Sequence, residues 1–338
     1  MPVRVTDFKN VDLNRFRFDY DLTFAVLMMD ARGRTLSRFG TNDHRNDAGR
    51  MSIAGLKRAM RGMLAAHRGP ARDGAAAPSS PPRPFTATTF PAFARSTLAR
   101  SACYHCHYAN DAHLLQRRAE GTFAKAMLFR FPLPENLGVT LDVDANTVVK
   151  VVAPGSPAAR AGVRPGDRIV RADATPVFTA ADLQWALDAV PDPGAVRLHL
   201  VRNGKRLLPP RKLTLGPGWR RTDISWRPSQ GNIPPILGIW EEPLGAEEKA
   251  RLGIGANDLA LRVTVLFPGE KWARTYGDLR KGDVIVGVNG APLPHMTAPQ
   301  FHAYFRLRFE VGETAVLDVV REGARCAVRV PCLDVRLD

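Results

Sequence analysis

The chain has 338 residues, more than one small hydrophobic core organises, so two or three domains are expected. Its net charge of +15 comes from 48 Lys and Arg against 33 Asp and Glu, but the basic residues are dispersed among acids, with no lysine run, aromatic stacking motif or recognition-helix pattern, which argues against a nucleic-acid surface. No apolar run approaches the roughly 18 residues that a membrane-spanning helix needs, and the 27 prolines and 28 glycines, scattered without period, favour small β-rich modules.

Residues 1–68 form the first region. "PVRVTDFKNVDLNRF" begins as a strand, and "DLTFAVLMMDARGRTLSRFG" reads as two strands turning at Arg32-Gly33. "MSIAGLKRAMRGMLAAH" follows as a helix with Ile53, Leu56, Met60 and Met63 on one face. Strand, hairpin with its "DARGR" turn and closing helix resemble the later part of a thioredoxin fold. Asp21-Leu22-Thr23 stands where redox-active members place a cis-proline before threonine. The resemblance implies a dithiol strand and helix lying before Met1, as in thioredoxin-like proteins, some of them selenoproteins. The opening "MPVRVTDFKNVD" lacks the apolar core of a signal peptide.

Residues 69–93, with "GPARDGAAAPSSPPRPF", are dense in Pro, Ala and Ser and predict a linker. Residues 94–131 predict a helical connector carrying C-x-x-C-H at Cys103, Cys106 and His107. Two thiols with the adjoining histidine are what covalent haem c attachment uses, with Met127 as a candidate distal ligand. A redox dithiol one helical turn apart, with His105 and His107 favouring thiolate, fits the same letters. So does a zinc set completed by two of His105, His107 and His113, and so do two small residues on a connecting helix. Cys326 and Cys332 lie on one predicted strand, about 20 Å apart at roughly 3.3 Å per residue, too far for a disulfide. They are expected to be separate, mostly buried thiols.

A repeat follows. "RPGDRIVRADATPV" (164–177) aligns without gaps with "RKGDVIVGVNGAPL" (280–293), 116 residues later. Each copy continues into a helix-like segment and a strand that ends in a turn. Thr179 is an N-cap candidate, and Asn289-Gly290 a hairpin turn. A module of about 90 residues, a small partly open β-barrel flanked by helices, is therefore duplicated.

These residues resemble PDZ domains. "VVAPGSPAARAGVRPGDRIVRADATPV" has the family's order, and Leu137-Gly138-Val139 looks like its carboxylate-binding loop. The resemblance implies that a partner's C-terminal or extended peptide adds a strand beside this loop. Leu137, Gly138 and Val139 would hold its carboxylate, and Leu141 and Leu183 would line its pocket. In the second copy Leu237, Gly238 and Ile239 take the loop position. Bacterial PDZ modules accompany serine proteases, but the glycine-flanked nucleophile setting G-N-S-G-G is absent, and neither "PGSPAARAG" nor "RPSQGNIPP" offers an oxyanion hole.

The sequence thus predicts an α+β multidomain chain: a partial thioredoxin-like α/β region, then two PDZ-like partly open β-barrels at 132–216 and 217–338. The function expected from it is a non-catalytic, extracytoplasmic or periplasmic peptide-binding scaffold. The alternative is a thiol-redox or haem c electron-transfer protein using Cys103, Cys106 and His107.

Overall fold

A computed structural model describes residues 2–42, 50–68 and 84–335, and the chain divides into two compact units, Met1–Thr222 and Asp223–Asp338. The first unit opens without the expected strand. Phe8, Phe18 and Tyr20 meet edge to face, and Phe8 N–H donates to the Tyr104 carbonyl and Leu13 N–H to that of Phe85. Aromatic burial thus overrides the β-propensity of the opening segment. The hairpin forms as read, β1 (Val26–Met29) against β2 (Thr35–Phe39), its turn held by Asp30 accepting from the Arg32 and Arg34 amides. These two strands make a sheet of their own, with no third strand among the described residues. The thioredoxin-like expectation is therefore not supported, because the sheet that such a fold needs is missing here.

Helix α1 (Ile53–Arg68) buries a face rotated from the one its apolar spacing suggests, with Leu56 and Met63 packed against Met28, Phe39 and Ala59 as that spacing expects. Gly55 and Ala59 are buried, whereas Ile53 and Met60 are 69% and 51% exposed. A Cβ on Gly55 would stand 2.5 Å from the Val143 carbonyl, so close approach of backbones selects the small residues.

Most of the Pro-rich linker, residues 69–83, lies outside the described residues. Its end does not behave as a linker, since Phe85, Ala87 and Phe93 pack with Tyr104, Ala112 and Leu115. Two short pieces precede the C-x-x-C-H stretch, α2 (Pro91–Ala94) and a 3-10 turn at Leu98–Arg100, and α3 (Tyr108–Ala119) begins just after it. Cys103 and Cys106 therefore sit in a turn and not on one helix, as the connector reading required.

The rest of the unit is built from β3 (Val139–Leu141), β4 (Val149–Val152), α4 (Pro157–Arg160), β5 (Arg168–Ala172), β6 (Thr175–Pro176), α5 (Ala180–Asp188), β7 (Gly194–Arg202), β8 (Lys205–Arg206) and β9 (Arg211–Leu215). β3 pairs with β4; β6, β5, β7 and β8 form a second sheet with β9 on β7, and a single bridge, Val148 to Arg168, joins the two. Leu137, Val139, Ile169, Leu183, Leu187, Leu198 and Leu213 fill the core. Thr179 caps α5, its side chain accepting from the Asp182 amide at 3.1 Å.

The second unit contains β10 (Ile239–Pro243), α6 (Ala246–Arg251), β11 (Leu261–Leu266), α7 (Glu270–Tyr276), β12 (Val284–Val288), β13 (Ala291–Pro292), α8 (Ala298–Arg308), β14 (Thr314–Arg321) and β15 (Ala324–Pro331). Its sheet runs β10-β11-β12-β14-β15, with β13 on β12. The hydrogen bonds of the first unit recur in it. Gly166 N–H donates to Val149 and Gly282 N–H to Val263; Asp167 accepts from the Arg164 amide and Asp283 from that of Arg280. Each aspartate also receives a two-pronged guanidinium, from Arg202 and Arg321 respectively. Asp173 and Asn289, 116 residues apart, both take positive φ, and a glycine follows the second. None of the four cysteines is in a disulfide; Cys332 is buried and Cys326 exposed, so only one of that pair meets the expectation of burial.

Candidate functional site

A groove beside β3 is the candidate site in the first unit. Among the described residues β3 pairs only with β4, which leaves the backbone groups of its other edge without a neighbouring strand there. A cleft of about 210 Å³ runs beside it, lined by Thr140, Leu141 and Asp142 on one wall, Ala180 of α5 on another, and Glu135.

The loop residues read from the sequence have distinct places here. Leu137 and Val139 are fully buried in the core and hold the loop down. Gly138 lies at φ +84°, and its N–H is already donated to the Glu135 carbonyl at 2.8 Å. A Cβ there would fall 2.0 Å from that of Ser156, so only glycine fits. Leu141 is half-buried on the cleft wall, and Leu183 points into the core. In the second unit Leu237 and Ile239 are buried, and Gly238 N–H donates to Thr275 Oγ1 at 2.9 Å beneath Trp272. There His302 Nε2 reaches across from α8 to Glu241 Oε2 of β10 at 3.2 Å.

The groove's surroundings include residues that local sequence reading missed. Ser37 Oγ donates to Asp182 Oδ2 at 2.7 Å and the Arg38 amide to Asp182 Oδ1 at 2.8 Å, while Thr179 Oγ1 donates to the Arg38 carbonyl. The Arg38 guanidinium lies 3.8 Å over the Trp185 ring, and burial lowers its pKa to about 10. Burial likewise drives the Asp182 carboxyl up to about 6 against these hydrogen bonds. Opposite, Ser52 Oγ donates to Asp144 Oδ1 at 2.6 Å and Asn146 Nδ2 to the Gly55 carbonyl at 2.7 Å. Thr41 and Arg50 line the cleft between these two sets.

The C-x-x-C-H stretch is arranged for packing. Cys106 donates its thiol to the Leu22 carbonyl at 3.1 Å, and burial, aided by Asp21, pushes that thiol up to about 11, the reverse of an activated thiolate. Cys103 is exposed, and His107 Nδ1 lies 2.9 Å from the buried Asp111 carboxylate. Among the described residues no three His, Cys, Asp or Glu side chains gather as a metal set, so the zinc arrangement is not assembled. Nor does any histidine there share a hydrogen bond with a serine hydroxyl; His107 and His302 each meet a carboxylate. No helix among the described residues is long and apolar enough to cross a membrane.

The class is given by a family profile: the PDZ domain profile matches residues 148–202, from just before β4 through β7, and the chain contains a PDZ domain. The relatives are HtrA- and DegQ-type serine proteases. The periplasmic pH-dependent serine endoprotease DegQ of Escherichia coli is 33% identical over 153 residues, 44% of this chain and 29% of that protein. The magnetosome formation protease MamE of Magnetospirillum gryphiswaldense is 30% identical over 226 residues, 57% of this chain and 28% of that protein. A solved HtrA-type protease, AlgW with a decapeptide, is 15% identical with a TM-score of 0.26, over 52% of this chain and 58% of that one. The chain spans under a third of the length of the curated relatives it matches. These relationships overturn the expectation of a non-catalytic scaffold, and with it the thiol-redox or haem c alternative: the matched proteins are proteases.

Proposed function

We propose that this chain serves HtrA-type serine endoproteolysis outside the cytoplasm, and that its PDZ domain is the part that grips the polypeptide. The observation that carries the reading is the β3 edge that, among the described residues, pairs with no strand and lies beside the Leu141–Ala180 cleft, in a chain whose relatives include periplasmic endoproteases. An extended polypeptide laid on β3 gains main-chain hydrogen bonds whatever its sequence, and the half-buried Leu141 meets one side chain in two. Such a partner is an unfolded or C-terminal segment, the form in which a protease takes its substrate. The second unit, with the same turn, aspartate–arginine pair and strand–helix order, is read as a second PDZ-like module whose groove is bridged by His302 and Glu241.

Fluorescein-labelled β-casein, a chain without a stable fold, tests this. The reading expects saturable binding to the full chain that Leu141→Lys weakens at least tenfold, or casein cleavage that a serine-directed fluorophosphonate stops. Casein left both unbound and intact contradicts it.

A further inference from the structure

We propose that the outer face of the β5–β7–β9 sheet docks on a lipid bilayer that carries anionic phospholipid, with the β8–β9 turn inserting Leu208 below the headgroups. The cations of this face are dispersed in the sequence, and strand register gathers them. Alternation along β7 puts Val196, Leu198 and Leu200 in the core and turns Arg197, His199 and Val201 to the other face. Residues directly opposite one another in a ladder share a face. Arg168 and Arg206 therefore join it beside Val201, Arg171 beside His199, and Lys212 beside Arg197. All five cations are exposed. Strands β5 to β9 contain no Asp or Glu to interleave with them. Asp173, in the turn between β5 and β6, supplies one carboxylate, 3.8 Å from Arg197. Arg197 and Lys212 still stand as directly opposed like charges, an arrangement that weakens a ladder in water and that a plane of phosphates relieves.

A second feature beside this face selects the kind of anion. Leu208 is 79% exposed, more than any other large apolar side chain among the described residues. It lies in the turn Leu207-Leu208-Pro209-Pro210 that joins β8 to β9, with Arg206 before the turn and Lys212 after it. Leu207 packs against the core and donates its N–H to the Leu200 carbonyl, which fixes the root of the turn. The two prolines have no amide hydrogen, so the tip carries few backbone donors that need water. An apolar tip flanked by Arg and Lys suits the membrane interface, where the tip meets the acyl boundary and the cations meet headgroup phosphates. Nucleic acid offers phosphates without an apolar layer, and these strands hold no Phe, Tyr or Trp on which bases would stack. None of these residues lines the β3 cleft, so the inference stands apart from the reading of that cleft as the polypeptide site.

Sedimentation of the full chain with vesicles tests the idea, using phosphatidylcholine alone and phosphatidylcholine with about 30% phosphatidylglycerol. Partitioning is expected to be at least tenfold higher with phosphatidylglycerol present, and to be lost at about 0.5 M NaCl. Arg168→Glu/Lys212→Glu is expected to lower it at least tenfold and Leu208→Ser at least threefold, each with the melting temperature of the parent because these side chains are exposed. Leu208→Trp is expected to keep the binding and to add a blue shift of emission, beyond any shown by the unaltered chain, when the anionic vesicles are added. Equal partitioning onto the two compositions overturns the proposal, as does equal binding by parent and both loss variants. Binding kept in full by Leu208→Ser, with no added shift in Leu208→Trp, overturns the insertion and the bilayer with it. A short DNA duplex bound alike by parent and Leu208→Ser, while vesicles stay unbound, overturns the proposal in favour of nucleic acid.

Discussion

Asp182 is the residue on which the first unit's groove wall turns. It accepts from Ser37, from the Arg38 amide and from the Phe178 amide, yet burial outweighs these donors and raises its pKa from 3.8 to about 6. A carboxyl raised on folding means that the native state holds the extra proton. Its contribution is fully present below the unfolded value and is lost as pH rises through about 6, a swing of roughly 3 kcal/mol. The urea midpoint of the first unit is therefore expected to be higher at pH 4.5 than at pH 7.5 by the part due to this group, and Asp182→Asn, which mimics the protonated form, is expected to remove that part. An unaltered difference between the two pH values in Asp182→Asn contradicts this assignment. Gly138 makes the second case at this scale. Positive φ and the Ser156 Cβ together forbid a side chain, so Gly138→Ala is expected to destabilise the unit by about 3 kcal/mol or more in urea titrations. A substitution there tests folding and not peptide affinity.

At the scale of elements, the two glycine–aspartate turns are the most readable part of the chain. The sequence aligns them without gaps, and the structure gives both the same backbone bonds and the same guanidinium partner. Burial opposes the charge of Asp167 and Asp283, but Arg202 and Arg321 override it and hold each carboxyl below its ordinary value. The stabilisation is thus present above pH 3.8 and is lost as pH falls through the lower, native values. Arg202→Ala leaves Asp167 buried without its cation, and is expected to lower the melting temperature of the first unit by roughly 5 °C or more, with Arg321→Ala doing the same in the second. Equal melting of variant and parent in calorimetry would refute the equivalence of the two turns. The caps and hairpin turns at Thr179 and Asn289-Gly290 were legible for the same reason: a few adjacent residues set them. Helix α1 was half legible: Leu56 and Met63 pack as the apolar spacing marks them, whereas Ile53 and Met60 face outward because the helix approaches the Val143 carbonyl through Gly55.

At the scale of the whole molecule, what the sequence hid is long-range. Ser37 and Asp182 are 145 residues apart, and no local pattern links them. The C-x-x-C-H letters promised chemistry, but the burial of Cys106 against Leu22 depends on a segment 84 residues upstream. The relation to proteases has no local signature in the sequence, where no serine stands in a G-N-S-G-G setting, and it shows instead as similarity spread over 44% and 57% of the chain. The central claim, that polypeptide is gripped along β3, is tested most directly by placing the photo-crosslinker p-benzoylphenylalanine at Thr140, on the β3 edge, or at the exposed Val151 of β4, in the full chain. Illumination with β-casein is predicted to join casein to position 140 and not to position 151; equal crosslinking at the two positions, or none at 140, would contradict the account.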